Sequence, residues 1–237
     1  MKKITKKNFE VAVSLENREI LKKIIHSAVL PPDTYLAGGT AVAMYYGHRL
    51  SDDFDFFTFE YFNQDQIMSV LKNNFFKVEF AYLLPHSIVC FLFTDKNIFT
   101  KFSLFRLPYK LIEPSVMLAN TANLNDYKIQ VASLSDLLCM KATAIAQRGS
   151  AKDFVDMYYL LKDTQIKFSE LIRIIKIKYH LTETLLYQLK TGMNYFVDAE
   201  EKELLEKVLM YQQSGKHIPI KQKEWKEIKK YFINLAK

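Results

Sequence analysis

The sequence predicts an α/β protein of the α+β type, in which a mixed sheet with helices precedes a domain made of helices. Two observations indicate this class. Short apolar stretches typical of strands occupy the first half of the chain, and apolar residues at helical spacing dominate from Ser133 onward. Between them, residues 120–128 (NTANLNDYK) are polar and poorly patterned. We therefore predict an α/β domain over residues 1–130 and a helical domain over residues 131–237.

The first half begins with helices and continues with strands. Apolar residues recur at helical spacing over residues 8–28, which predicts one or two amphipathic helices that end before Pro31 and Pro32. Polar residues at 94–97 predict a hairpin turn. Strands are expected at Tyr35–Ala37, 53–57, 75–83, 87–93 and 98–105, and a helix at 63–73. This order predicts a mixed sheet.

The second half has helix start and stop signals followed by a series of amphipathic segments. Ser133 is placed to cap a helix that Gly149 ends, and Ser150 begins a second helix with an apolar stripe reaching Leu161. Further helices are expected at 171–179, 182–189, 199–211 and 222–235, with an interruption at 216–220.

Composition limits the class of protein. A chain of 237 residues that is 49% hydrophobic can build a packed core without disulfides. Cys90 and Cys139 lie in apolar surroundings without metal-ligand spacing, so we expect buried thiols. No apolar run approaches the length of a membrane span, and the N-terminus has charges too early for a secretory signal. We expect a cytoplasmic protein.

The balance of charge is basic. A formal net charge of +7 favours a polyanionic partner such as a nucleotide, RNA or DNA. The lysines are spread along the chain, so a solvated basic surface is the alternative interpretation.

Residues 35–57, YLAGGTAVAMYYGHRLSDDFDFF, contain the chemical signals on which the functional prediction rests. A turn formed by Gly38, Gly39 and Thr40 would let the backbone come close to a ligand. The helix that follows, with its stop at Gly47, would point unpaired N–H groups at an anion. This part of the segment predicts a site for a triphosphate.

Two carboxylates follow the glycine turn. Because residues i and i+2 of a strand share a face, Asp53 and Asp55 are expected to point the same way. Paired carboxylates repel each other unless a cation lies between them. Oxygen ligands of this kind suit Mg²⁺, which proteins bind through one or two carboxylates together with substrate phosphates.

The order of these elements resembles a known signature. Gly-Gly-Thr, twelve residues and then Asp-Phe-Asp is similar to the motif of nucleotidyltransferases with a polymerase-beta-like fold. The longer string GGTAVAMYYGHRLSDDFDFF resembles the AbiEii/AbiGii toxin family of bacterial phage-defence and toxin–antitoxin systems. The resemblance implies Mg²⁺-dependent transfer of a nucleotidyl group from an NTP to a hydroxyl of an RNA, such as a tRNA end, or of a protein.

The resemblance also implies roles for individual residues. Asp53 and Asp55 would hold the metal and act in catalysis, and for His48 we favour an ordinary loop residue. The residues expected to contact the nucleotide are Gly38, Gly39, Thr40, Arg49 and Ser51.

A second segment, KATAIAQRGSAKDFVDMYYLL, resembles the same family. In this interpretation Lys141 reaches the nucleotide phosphates and Asp153 faces the catalytic cleft, so both are assigned catalytic roles. The structural alternative is a solvated basic face and a first-turn aspartate that complements the helix dipole. For Arg148 and Asp156 both interpretations stay open.

The chain departs from the family pattern at one position. Polymerase-beta-like enzymes carry a third carboxylate on a later strand, and the matching residue here is Ser103. A serine hydroxyl is a poorer magnesium ligand and a poorer base than a carboxylate. We consider Asp153 as a replacement base or third ligand.

Two alternatives to the enzyme follow from this departure and from the family. One is a nucleotide-binding module that binds without turnover. The other is a protein-interaction role as one half of a toxin–antitoxin pair, in which a small winged-helix protein would be the antitoxin.

Overall fold

Seven strands form one mixed sheet in the computed structural model, which describes residues 2–121, 124–180 and 183–235. The strands are β1 Tyr35–Ala37, β2 Asp53–Thr58, β3 Lys77–Leu84, β4 Ser87–Phe93, β5 Phe99–Arg106, β6 Val116–Met117 and β7 Gln130–Val131. Their order across the sheet is β3-β4-β5-β2-β1-β7-β6. The pairs β2/β5 and β1/β7 are parallel, and the other pairs are antiparallel. The predicted mixed sheet is confirmed.

Helices surround this sheet and make up most of the second half. The α-helices are α1 Lys6–Ala12, α2 Leu15–His26, α3 Gly38–Tyr46, α4 Gln64–Asn74, α5 Leu134–Gln147, α6 Ala151–Thr164, α7 Phe168–Tyr179, α8 Glu183–Gly192, α9 Lys202–Glu206 and α10 Gln222–Leu235. A continuous hydrophobic core connects the sheet with the C-terminal helices.

Several helices begin and end where local chemistry predicts. The hydroxyls of Thr5, Ser14 and Ser133 each accept a hydrogen bond from the N–H three residues later, so they cap α1, α2 and α5. Helix α3 ends at Gly47, which adopts the left-handed conformation with φ of 61°. The expected strands and the helix at 63–73 are confirmed within two residues, and residues 8–28 form two helices.

The prediction of one helix over residues 199–211 is wrong. This segment contains a 3₁₀ turn at Asp198–Glu200 and the short α9, and it then forms strand β8, Leu209–Tyr211. Strand β8 pairs with β9, His217–Pro219, in a hairpin. It also bonds to the loop after α3, because Leu50 N donates to Leu209 O at 2.9 Å. This long-range pairing overrides the local helical pattern. The predicted helix at 182–189 begins at residue 182, which lies outside the described residues.

The segment between the two predicted domains contributes strands to the sheet. Strand β7 pairs with β1, and the Ala132 N–H donates to Leu36 O at 2.9 Å. The boundary near residue 130 stays a prediction.

Both cysteines are free and buried, as predicted. Burial raises the pKa of each thiol to about 12. None of the helices within the described ranges is long and apolar enough to cross a membrane.

A fully buried ion pair fastens α7 to the start of α5. Lys178 Nζ lies 2.6 Å from Asp136 Oδ1, and both side chains are fully buried. Asp136 also accepts a hydrogen bond from Ile112 N at 3.0 Å, and Lys178 donates to Lys110 O at 3.2 Å. The pair therefore holds the connector before β6 in place.

Replacing Lys178 by methionine should lower the free energy of unfolding by about 3 kcal/mol, because the Asp136 carboxylate would remain buried without its cation. Urea denaturation followed by circular dichroism measures the change. Lys190→Met, at an exposed lysine of α8, is the matched control and should stay within about 0.5 kcal/mol of the wild type. Equal stability of the two variants would contradict a structural role for the pair.

Candidate functional site

A cleft of about 450 Å³ lies between the sheet and the helices α5 and α6. Strands β2 and β5, the start of α3, one face of α5 and the first turn of α6 form its walls. Of the nine residues predicted from the sequence, eight line this cleft: Gly38, Gly39, Arg49, Ser51, Asp53, Asp55, Lys141 and Asp153. The ninth, Thr40, is buried beside it.

The acidic pair lies on the cleft face of β2. Along this strand Phe54 and Phe56 are buried while Asp53 and Asp55 are half-buried, so the two carboxylates share the open face. Asp55 Oδ1 lies 3.9 Å from Lys101 Nζ, at the limit of an ion pair.

These oxygens fit a divalent cation. Within the described ranges there is no group of three or more Asp, Glu, His or Cys side chains arranged to hold a metal. A pair of carboxylates facing an open cleft is the donor set with which Mg²⁺ is held when phosphate oxygens supply further ligands.

Thr40 and Ser51 fix the start of β2. Their hydroxyl oxygens are 2.8 Å apart, and Thr40 donates a hydrogen bond to the carbonyl oxygen of Asp53. Both residues are buried. The Thr40 hydroxyl is thus bonded to the protein, and the group that Thr40 offers a phosphate is its backbone N–H in the first turn of α3.

The two glycines fit tightly against functional side chains. Gly38 has φ of +67°, and a Cβ added there would overlap Oδ2 of Asp55 and lie 3.1 Å from its Cβ. A Cβ on Gly39 would overlap Nη2 of Arg49 and lie 3.3 Å from Asp156 Oδ2. The glycines therefore also leave space for the acidic strand and for Arg49.

A Gly39→Ala variant should lose about 1–3 kcal/mol of stability, because the added methyl group displaces the buried Arg49 guanidinium. The decrease in melting temperature measures this effect. A melting temperature equal to that of the wild type would show that Arg49 can move away without loss, contrary to the packing around Asp156.

An ion network lies behind the cleft; it consists of Arg49, Lys141, Asp153, Asp156 and Arg148, whose side chain is exposed. Arg49 donates to Asp156 twice, from Nε at 2.7 Å and from Nη2 at 2.9 Å. Lys141 Nζ lies 2.8 Å from Asp156 and 2.9 Å from Asp153. Both aspartates, Arg49 and Lys141 are buried. The network therefore ties the loop after α3 to α5 and α6.

The two aspartates of the network are ionised. Burial alone would raise the pKa of Asp156, but Arg49 and Lys141 hold it well below its usual range. Asp153 accepts hydrogen bonds from Lys141, from Arg148 at 2.8 Å and from Ser150 at 2.7 Å. Its pKa is also lowered, by Lys141 first and Arg148 second, against the effect of burial. A carboxylate with so low a pKa is a weak base, so this geometry favours a positioning role for Asp153.

Sequence reasoning missed the place of His48 and left Asp156 undecided. The His48 ring is buried, and Nε2 donates to Asp156 Oδ1 at 2.9 Å. Burial lowers the pKa of His48 despite that bond, so the ring is neutral at pH 7. His48 lies in a loop, as predicted, but its ring is buried and bonded to the ion network. The Asp-x-x-Asp spacing in α6 was the available signal for Asp156, but no local pattern identifies its partners.

Lys152 is a further cleft residue to which the sequence analysis gave no role. It lies in the first turn of α6 and lines the cleft. Burial lowers the pKa of Lys152, and the nearby charge of Arg49 lowers it further.

Ser103 lies beside the acidic pair. In the parallel register of β2 and β5 it is the partner of Asp55. The residue is fully buried, and its Oγ has no hydrogen-bond partner among the described residues. The expected position of the third carboxylate is thus adjacent to Asp55, but a hydroxyl occupies it.

Solved structures show the same fold. A structure from H. pylori described as a candidate nucleotidyltransferase has a TM-score of 0.52 at 16% identity, with 94% of each chain covered. MenT4, a nucleotidyltransferase toxin from Mycobacterium tuberculosis H37Rv, has a TM-score of 0.50 at 12% identity, with 93% of this chain and 84% of the other covered.

Sequence comparison gives a relative and a family. An uncharacterised protein of Aquifex aeolicus (strain VF5), aq_aa25, is 35% identical over 223 residues, which cover 94% of this chain and 95% of that protein. The family described as nucleotidyl transferase AbiEii toxin, type IV toxin–antitoxin system, matches residues 19–86 and 99–236. These residues include both segments that line the cleft. The chain belongs to the AbiEii family of nucleotidyltransferase toxins of type IV toxin–antitoxin systems, and it is an enzyme of the nucleotidyltransferase type.

Proposed function

We propose that this enzyme uses Mg²⁺ to transfer a nucleotidyl group from an NTP to a hydroxyl group, with pyrophosphate as the leaving group. The observation that carries the proposal is the position of the acidic pair beside the N-terminus of α3. Ala37, the residue before that helix, pairs with Asp55 across the sheet, and Gly38 leaves room for the Asp55 carboxylate. A phosphate bound at the helix N-terminus would therefore lie next to both aspartates.

The residues of the cleft would have different roles in the reaction. Asp53 and Asp55 would hold Mg²⁺, which supplies a positive charge that polarises the phosphate oxygens. The N–H groups of Gly38, Gly39 and Thr40 would orient the triphosphate. The ion network would stabilise negative charge that develops on the transferred group, because Arg49, Lys141 and Arg148 together carry more charge than Asp153 and Asp156.

The acceptor would be an RNA, such as a tRNA end, or a protein hydroxyl. The net charge of +7 supports an RNA. As a family toxin in the cytoplasm, the protein would be controlled by an antitoxin, for which we propose a small winged-helix partner, and would act in phage defence.

An assay with labelled nucleotides tests this proposal. The purified protein is incubated with Mg²⁺, total bacterial RNA and each α-labelled NTP in turn, beside an Asp53→Asn/Asp55→Asn variant. The proposal expects label on RNA or on protein with the wild type alone, and the same assay identifies the base. Label transfer that persists in the double variant would contradict the assignment of the acidic pair.

Ser103 supports one alternative, a module that binds a nucleotide without turnover. Its hydroxyl replaces a carboxylate directly beside Asp55. Calorimetry distinguishes the two functions: NTP binding that requires Asp53, with no transfer of label from any of the four nucleotides, would favour the module.

A further inference from the structure

The cleft contains five cationic side chains, and four of them are engaged within the protein. Arg49 is bonded to Asp156, Arg148 to Asp153, and Lys141 to both carboxylates. Lys101 lies 3.9 Å from Asp55. The fifth, Lys152, makes no hydrogen bond and no ion pair within 4.0 Å with any residue that the structure describes.

The position of Lys152 is unfavourable for a cation. The side chain is half-buried, so part of the hydration of the ammonium group is lost. It lies at the N-terminal end of α6, where the helix dipole disfavours positive charge. The nearby charge of Arg49 adds like-charge repulsion. The carboxylates of Asp53, Asp52 and Asp156 attract the ammonium group, but among the described residues none of them lies within 4.0 Å to form an ion pair.

A bound anion would compensate for all three unfavourable effects. The opening on which Lys152 lies also contains Asp53 and the glycines at the start of α3. Resting on the function proposed above, we infer that Lys152 is the lysine that directly binds the polyphosphate of the nucleotide, whereas Lys141 serves chiefly to hold Asp153 and Asp156 in place. An ammonium group without an internal partner can contact a phosphate oxygen without first breaking an ion pair.

The two lysines should therefore respond differently to substitution. Lys141→Met would remove a cation that pairs with the buried carboxylates of Asp153 and Asp156, so the melting temperature should fall. Lys152→Ala removes an unpaired, half-buried charge, so the melting temperature should stay equal or rise while anion binding weakens. A purely structural role for Lys152 would instead lower the melting temperature and leave binding unchanged.

Calorimetric titration with inorganic tripolyphosphate and Mg²⁺ tests the inference independently of the base and of turnover. Lys152→Ala should raise the dissociation constant about 10–100-fold, and Lys152→Arg should restore part of the affinity. Lys162→Ala removes the same charge from an exposed position of the same helix and should bind within about twofold of the wild type.

The inference is overturned if Lys152→Ala binds tripolyphosphate as tightly as Lys162→Ala, or if the wild type does not bind it. The α-label assay keeps the two proposals separate. If the wild type transfers label but Lys152→Ala binds tripolyphosphate as tightly as the wild type, only the role of Lys152 is refuted. If tripolyphosphate binding depends on Lys152 but no label is transferred, only the proposed reaction is refuted.

Discussion

An Asp55→Asn variant is expected to lose about a thousandfold or more of the transfer rate while folding at least as stably as the wild type. Asparagine has the same shape as aspartate but lacks the negative charge that holds Mg²⁺, and a loss of several kcal/mol of transition-state stabilisation corresponds to this factor. Stability should not fall, because the one ion-pair partner of Asp55 among the described residues is the distant Lys101 and because its repulsion with Asp53 is relieved.

Single-turnover rates with saturating NTP and Mg²⁺ measure the effect. Asp95→Asn, in the exposed turn between β4 and β5, is the control and should keep the wild-type rate. If Asp55→Asn keeps more than about a tenth of the wild-type rate, Asp55 is not a ligand of an essential metal.

An Asp156→Ala variant is expected to lose about 3–5 kcal/mol of stability, because the substitution leaves Arg49 and Lys141 buried with part of their negative charge removed. The His48 ring would also lose its only hydrogen-bond partner among the described residues. For a domain of ordinary stability this loss approaches the whole free energy of folding. Urea denaturation of the soluble fraction measures it.

The control for Asp156 is Asp163→Ala, which removes an exposed carboxylate from the same helix. Among the described residues the Asp163 side chain accepts one hydrogen bond, from the Tyr46 hydroxyl at 3.2 Å, so a change below about 1 kcal/mol is expected. If the two variants are equally stable, the ion network does not hold the cleft together.

The face of the acidic strand could be predicted because it depends on local rules. The period of two along a strand places Asp53 and Asp55 together, and the burial of Phe54 and Phe56 leaves one orientation for β2. The helix before Gly47 was predictable for the same reason, but it begins at Gly38, so the expected glycine turn is the first turn of the helix. Gly38 tolerates positive φ, and Gly47 ends the helix in the left-handed conformation.

The ion network behind the cleft could not be predicted, since it joins residues far apart in sequence. Asp156 contacts Arg49 from 107 residues away, and nothing in a window of ten or twenty residues relates the two. The same holds for β8, whose pairing with the loop at residues 48–50 replaced a predicted helix. For His48 the local pattern was that of a loop, and only the tertiary fold buries the ring.

The measurement that tests the central claim most directly compares NTP labelled at the α-phosphate with NTP labelled at the γ-phosphate. Both are incubated with the wild type, Mg²⁺ and bacterial RNA, and the macromolecular products are separated from free nucleotide. Nucleotidyl transfer predicts that α-label enters the product and γ-label leaves as pyrophosphate. Incorporation of γ-label, or release of inorganic phosphate without incorporation of either label, would contradict the account.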